Sequence, residues 1–239
     1  MAKTRACART VVLLPTYNEI DNLPRIVPAI LAAADVDVMV IDDNSPDGTG
    51  RLADMLARKE PRVRVLHRAR KEGLGAAYIA GFRAALEAGY ERVVQMDADF
   101  SHPPAHLGHM LDLSSRHDLV LGSRWVPGGG TKNWPKRRQL ISRLGSLYAR
   151  ALLRAPIRDL TGGFKCFRRS VLLAIDFDDI HSTGYAFQIE MTYRAIKLGF
   201  RVVETPILFV ERALGRSKMS RKIVTEAIMG VPKLRLSRL

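Results

Sequence analysis

Cysteine is nearly absent from these 239 residues, with only Cys7 and Cys166 present. Two thiols so far apart exclude a disulfide framework and a cysteine zinc site, and they fit a reducing compartment. No stretch approaches the roughly 18 apolar residues of a membrane-spanning helix. The N-terminal residues are basic with no apolar segment behind them, so a signal peptide is not expected. A complete G-x-G-x-x-G is missing, because Tyr78 stands where the third glycine after Gly73-Leu-Gly75 belongs. That argues against a nicotinamide enzyme and for a tightly packed helix start, one that a sugar or phosphate could approach. Acids are scarce in one half. Residues 124–169 carry 12 Lys/Arg and a single acid, Asp159, whereas residues 1–123 are balanced at 15 against 16. The whole net charge of +14 therefore sits after residue 123. Such asymmetry calls for a polyanionic partner of the second half: nucleic acid, an anionic membrane face or phosphorylated substrates. No aromatic residue interleaves with the basic run 136–143, which argues against nucleic acid.

What is present is an alternation of short apolar runs with helical segments. Strands are expected at 10–14, 36–41, 63–67, 92–96 and 118–122, and helices at 20–33, 52–58, 73–89 and 105–116. Strands alternating with helices predict an α/β fold with a doubly wound, mostly parallel sheet, and continuous apolar strands agree because both faces are covered. After Arg124 the pattern loosens. A basic amphipathic helix is expected at 136–154, with Leu140, Leu144, Leu147 and Ala151 at helical spacing. A turn and strand follow at 159–168, a turn and helix at 184–199, a strand at 201–210, a polar loop at 212–220 and a basic helix at 223–239, broken or kinked at Pro232. There is no internal repeat. One catalytic domain over 10–220 is expected, between a tail at 1–9 and a basic C-terminal segment at 221–239.

Ligands of such sheets bind at the carboxyl ends of the strands. The polar residues cluster there: 15–19, Asp42-Asp43, 97–101 and Ser123-Arg124. At the end of the fourth strand, Asp97 and Asp99 stand at i and i+2, on one face of an extended chain. Two adjacent carboxylates repel unless a cation lies between them, and oxygen ligands suit Mg²⁺ or Mn²⁺. Asp-x-Asp alone is equally the sequence of a solvated turn. Within 15–19, Tyr17 could stack on a base and Glu19 could hold a ribose; Asn18 could also simply cap a helix. His102, His106 and His109 share one helical face and are expected to be solvated rather than a zinc site. Arg124, Arg138 with Ser142 one turn on, and Arg212 with Lys218 are the candidate phosphate clamps.

Several motifs run in order through the chain: Leu14-Pro-Thr-Tyr-Asn-Glu19, Ile41-Asp-Asp43, Ser45-Pro-Asp-Gly48, Met96-Asp-Ala-Asp99, Ser101-His-Pro103 and Gly122-Ser-Arg124. They continue with Asp159-Leu-Thr-Gly-Gly-Phe164, Phe187-Gln-Ile-Glu190, Arg212 and Gly215-Arg-Ser-Lys218. In these the sequence resembles the polyprenol (dolichol) monophosphate mannose synthases, family 2 glycosyltransferases of the GT-A fold. The resemblance implies an inverting enzyme that transfers mannose from GDP-mannose to a polyprenyl phosphate with Mg²⁺ or Mn²⁺. It implies that Pro15, Tyr17, Glu19, Ile41 and Asp43 bind the guanosine. Asp97, Ala98 and Asp99 would hold the sugar nucleotide and metal, with Ser101 beside the metal where relatives often carry glutamine. Arg212 and Lys218 would grip the diphosphate. Arg124, Arg138 and Ser142 would face the acceptor phosphate, with Asp99, Arg124 and Arg138 as the catalytic set. It also implies an anionic membrane surface, or a separate membrane-anchoring protein, as partner, on the cytosolic face. A sibling activity with another donor such as UDP-glucose has the same spacing. A nucleic-acid module and a silent adaptor are the readings from other classes.

Overall fold

A computed structural model describes residues 9–180, 182, 184–211 and 230–236. Its centre is a seven-stranded sheet in the order β3-β2-β1-β4-β7-β5-β8. The strands are β1 (Thr10–Thr16), β2 (Asp37–Asp42), β3 (Val63–His67), β4 (Arg92–Gln95), β5 (Leu119–Ser123), β7 (Lys165–Arg168) and β8 (Val202–Pro206). All run parallel except β7, which pairs antiparallel with both β4 and β5. Two further strands, β6 (Gly130–Lys132) and β9 (Leu208–Val210), form a separate parallel pair.

The apolar runs are continuous because each strand feeds two cores. Val11 and Leu13 face one layer with Phe82, Phe167 and Phe187. Val12 and Leu14 face the other with Ile26, Ile30 and Leu107. Helices α1 (Leu23–Ala33), α2 (Thr49–Lys59) and α4 (Leu107–Leu113) cover that second face. Helices α3 (Leu74–Glu87), α5 (Lys136–Leu153), α6 (Arg169–Ala174) and α7 (Gly184–Lys197) cover the first. In α1 the buried residues are Leu23, Ile26, Val27 and Ile30, the i, i+3, i+4, i+7 stripe of a core-facing helix.

The expected mostly parallel α/β architecture is what the chain adopts, with some differences. The strand expected at 201–210 is interrupted at Ile207, whose N–H bonds back to the Ser123 carbonyl, so β8 and β9 belong to different sheets. β6 and α6 were not expected at all. Helix α1 begins at Leu23 rather than residue 20, because Asn18 adopts a left-handed backbone with φ 59°. Asn18 is therefore not the helix cap. Asn22 holds that position, and its side-chain amide donates instead to Glu19 Oε2 at 2.8 Å. Residues 230–236, including Pro232, are helical.

Gly129 shows how closely the rim is packed. A Cβ there would lie 2.5 Å from the Ser123 carbonyl oxygen and 3.1 Å from the Arg124 carbonyl carbon. Both are backbone atoms at the end of β5 and cannot rotate away. Gly129→Ala is expected to lower stability by about 1–3 kcal/mol. Thermal or denaturant unfolding checks this, and an unchanged midpoint would mean that the end of β5 yields freely.

Candidate active site

The carboxyl ends of β1, β2, β4 and β5 all emerge on one edge of the sheet, as the polar clusters at those ends require. At the first two, Pro15 lies in register with Ile41, and Asp43 N–H donates to the Thr16 carbonyl at 3.1 Å. This brings Pro15, Tyr17, Ile41 and Asp43 together. Glu19 joins them through its N–H, which donates to Thr49 Oγ1 at 3.0 Å. The two acids that close β2 differ in role. Asp42 is a turn former: it accepts Ser45 Oγ at 2.6 Å and Ser45 N–H at 3.2 Å. Asp43 accepts Arg68 Nη1 at 2.5 Å, and burial raises its pKa even against that cation. Lys71 Nζ sits 3.9 Å from the centre of the Tyr17 ring. Arg68 and Lys71 were not singled out from the sequence. The signal available was the basic cluster immediately after β3, which leaves the sheet on this same rim.

The Asp97 and Asp99 region corrects the argument from strand geometry. β4 ends at Gln95, so the two aspartates occupy a turn beyond the strand rather than successive positions on one face of it. The turn is shaped by Phe100, whose φ is 63°, and by two local bonds. Asp97 N–H donates to His102 Nδ1 at 3.0 Å, and Ser101 N–H donates to Asp99 Oδ1 at 3.1 Å. Ala98, Asp99 and Ser101 are buried. Tyr78 of α3 lies beneath the turn; burial first, then Asp97 and Asp99, push its phenol well above the ordinary value.

His102 is not a solvated helix residue. It precedes the short 3₁₀ turn Pro104–His106, is buried, and stacks on Phe164 at 5.0 Å. Burial lowers its pKa, and its Nδ1 is occupied as an acceptor, so it carries its proton on Nε2 and is neutral. His106 Nε2 accepts the Leu208 N–H, and only His109 is exposed.

A divalent cation fits this turn. Asp99 and Ser101 are buried oxygen donors, and Ser101 Oγ has no hydrogen-bond partner among the described residues. No cluster of three or more His, Cys, Asp or Glu side chains suited to a metal occurs among the described residues. Asp97, Asp99 and Ser101 would therefore supply part of the shell and the ligand's phosphates and water the rest, the usual arrangement for Mg²⁺.

On the other side of the rim, Arg124 is buried and committed to Asp159. Its Nε and Nη2 donate to the two carboxylate oxygens, each at 2.7 Å, and its backbone N–H donates to Oδ2 at 3.0 Å. Nη2 also reaches Thr161 Oγ1 at 2.8 Å. Arg138, near the start of α5, stacks on Trp134 at 4.0 Å and donates from Nη1 to Glu211 Oε1 at 2.6 Å. Its Nε is buried with no acceptor among the described residues. Ser142 lies one turn further along α5. Arg212 and Lys218 lie outside the described residues.

Helix α5 presents its apolar stripe outward. Ser146, Ala149 and Leu153 pack inward, whereas Leu140, Leu144 and Leu147 are 57%, 53% and 57% exposed, beside exposed Ile141 and Tyr148. No helix among the described residues is long and apolar enough to cross a membrane.

Residues 11–175 match the family model described as Glycosyl transferase family 2. The chain is 52% identical over 226 residues to the undecaprenyl-phosphate mannosyltransferase of Micrococcus luteus, across 94% of this chain and 93% of that protein. It is 51% identical over 233 residues to the polyprenol monophosphomannose synthase of Mycolicibacterium smegmatis, across 96% and 88%. Its fold is similar to that of glucosyl-3-phosphoglycerate synthase from Mycobacterium tuberculosis, solved with Mn²⁺, UDP and glucosyl-3-phosphoglycerate, with a TM-score of 0.69 at 17% identity over 95% of this chain and 80% of that one. A mannosyltransferase from Pyrobaculum calidifontis in complex with GDP-Man and Mn²⁺ superposes with a TM-score of 0.55 at 16% identity, over 95% and 73%. The solved structures speak for the fold, and the sequence match carries the lineage: the chain belongs to glycosyl transferase family 2 and is a glycosyltransferase of the GT-A fold.

Proposed function

We propose that this enzyme transfers mannose from GDP-mannose to a polyprenyl phosphate with inversion, giving a β-mannosyl phosphate. The observation that carries this is the identity of about half over nearly full length to two polyprenyl-phosphate mannosyltransferases. The geometry supports it. Tyr17, with Pro15, Glu19, Ile41 and Asp43, makes the nucleoside end of the rim. Asp97, Ala98, Asp99 and Ser101 make the diphosphate end, and Arg138 with Ser142 make the acceptor end. Arg212 and Lys218 belong to the diphosphate grip by resemblance. Arg124 contributes by holding the Asp159 loop, since its fork is already paired.

The attacking group is a phosphate oxygen, already ionised at neutral pH, so no strong general base is needed. The task left to the protein is orientation and charge. Arg138 offers an arginine fork to the acceptor phosphate. A divalent ion held by Asp97 and Asp99 would supply positive charge to the departing diphosphate. Attack from the face opposite that leaving group converts an α-linked donor into a β-linked product.

The acceptor is a lipid whose phosphate lies at a bilayer surface. The outward apolar stripe of α5, flanked by exposed Lys136, Arg137, Arg143 and Arg150, suits an anionic interface on the cytosolic side, where sugar nucleotides are made. Packing of that stripe against the catalytic domain is not what α5 does, so the lipid surface, or an anchoring protein within it, is the partner that would cover it.

Three experiments test this reading. Incubation with a panel of labelled sugar nucleotides, Mg²⁺ and polyprenyl phosphate is expected to label lipid from GDP-mannose and not from UDP-glucose. In that assay Asp99→Ala is expected to abolish transfer with the unfolding midpoint unchanged, and excess EDTA to do so reversibly; full activity in EDTA would remove the metal from the mechanism.

Arg138→Ala is expected to weaken use of the acceptor by about 2–3 kcal/mol while donor affinity stays near wild type. Steady-state kinetics in each substrate decide it. Loss of donor affinity with unchanged acceptor kinetics would move Arg138 to the donor side.

Vesicle flotation is expected to show binding to anionic vesicles at low ionic strength and release near about 0.5 M salt, since each basic residue at the surface contributes about 1 kcal/mol and salt screens it. Leu144→Glu, on the exposed stripe, is expected to weaken that binding. No binding at low salt would mean that another protein brings the enzyme to the membrane.

A further inference from the structure

Strand β9 touches both halves of the rim within four consecutive residues. Leu208 N–H donates to His106 Nε2 at 3.3 Å, and Val210 N–H donates to the Ser101 carbonyl at 3.2 Å. The second bond holds the carboxylate turn, and the first holds the 3₁₀ turn that follows it. Between them, Phe209 sets its ring edge-on to His102 at 5.3 Å and to Trp134 at 5.1 Å. His102 accepts the Asp97 N–H, and Trp134 carries the Arg138 guanidinium on its face. Glu211, the next residue after the strand, accepts Arg138 Nη1. A continuous line of rigid groups thus runs from Asp97 through His102, Phe209 and Trp134 to Arg138.

This line is not explained by the needs of the sheet. Among the described residues β9 pairs only with three-residue β6, and a two-stranded ribbon so short does not hold its own shape. Its position is set by what it touches on either side. Aromatic edges and arginine stacking are directional contacts, which is what a spacer between two reacting centres requires. Arg138 is fixed on its face by Trp134 and at one nitrogen by Glu211, while its buried Nε–H has no acceptor among the described residues. A donor held still and lacking an acceptor is oriented for an anion that arrives with substrate.

We propose that β9 is the spacer that fixes the separation between the carboxylate turn and the acceptor arginine, and that Phe209 is its central positioning residue. The proposal rests on Arg138 facing the acceptor phosphate. The nucleophile and the anomeric carbon are bound by opposite ends of this line, so the spacer governs how closely they meet. Affinity for either substrate alone does not depend on that distance; the rate of transfer does.

Phe209→Leu keeps an apolar side chain and removes the ring contacts to His102 and Trp134, together with the ring face that the Arg124 guanidinium overlies at 5.5 Å. It is expected to lower kcat by about tenfold or more, with the donor dissociation constant and acceptor KM within about twofold of wild type. Phe209→Tyr keeps the ring and is expected to restore kcat. Glu211→Gln loosens Arg138 from a partly exposed position without touching the ring contacts. It is expected to lower kcat with donor affinity unchanged, and it decides the matter if Phe209→Leu does not fold. Wild-type kcat in a folded Phe209→Leu would overturn the spacer, as would parallel loss of donor affinity, acceptor use and unfolding midpoint. Arg138→Ala in the same assay separates the two ideas. If it leaves acceptor kinetics untouched, the acceptor reading fails; if it impairs them while Phe209→Leu does not change kcat, the spacer fails alone.

Discussion

One side of the rim depends on one buried ion pair. Arg124 and Asp159 are removed from water together, and such a pair is tolerable only when nearly every lone pair and proton finds a partner. Asp159 meets that condition through three bonds from Arg124 and one from Thr161. Burial alone would raise its pKa; the adjacent guanidinium outweighs burial and holds it below the ordinary carboxylate value. A second acid completes the arrangement. Glu204 on β8 accepts the N–H groups of Arg158 and Asp159 at 2.7 and 2.8 Å, so the loop that presents Asp159 is itself anchored to the sheet. This explains why the lone acid of the basic segment 124–169 stands where it does. It is the internal counter-ion that lets the end of β5 meet the loop before β7.

The same loop feeds the antiparallel strand β7, and with it comes a second buried cation. Lys165 is fully buried, and its Nζ donates to the Gln188 carbonyl of α7 at 2.6 Å. Burial pushes its amine down to about 7, with Asp159 opposing the shift. A lysine depressed from its unfolded value contributes most stability above the unfolded pKa, and that contribution is lost as pH falls toward the folded value. That contribution is therefore fully present only above the ordinary lysine pKa, and it declines across the alkaline range as pH falls to about 7.

Much of this was legible in the sequence and some was not, for physical reasons. Apolar runs reported β1 to β5 well, because a doubly covered parallel strand has no polar face to confuse it. The rim followed from the ends of those runs. β6 was missed and β9 was merged with β8, because three-residue strands are held by tertiary contacts, not by their own pattern. His102 read as solvated because α-helical spacing was extended back through His106 to Pro103, where the chain makes only an extended residue and a short 3₁₀ turn. The strand-face argument for Asp97 and Asp99 failed because β4 ends at Gln95 and the chain turns there, through a left-handed Phe100 that no pattern announced. Arg124 read as a phosphate clamp because the sequence could not pair it with Asp159, 35 residues away.

Helix α5 gives the sharpest case of what periodicity leaves out. A stripe of Leu140, Leu144 and Leu147 says that one face is apolar; it does not say which face meets the protein. Here the inward face is made of small residues, Ser146 and Ala149, with Leu153, which lets the helix lie close to the domain while its leucines point away. The arrangement makes sense once one helix is asked to do two things. Arg138 and Ser142 lie on its first two turns, on a different side from the leucines. If the stripe rests on a bilayer as proposed, Arg138, the residue proposed to meet the acceptor phosphate, stands within one helix diameter of the surface, at the level of the headgroups. The lipid tail can then stay among its neighbours while the phosphate alone is drawn to the rim. A catalytic domain with no spanning helix among its described residues can thus work on a membrane-bound substrate without extracting it.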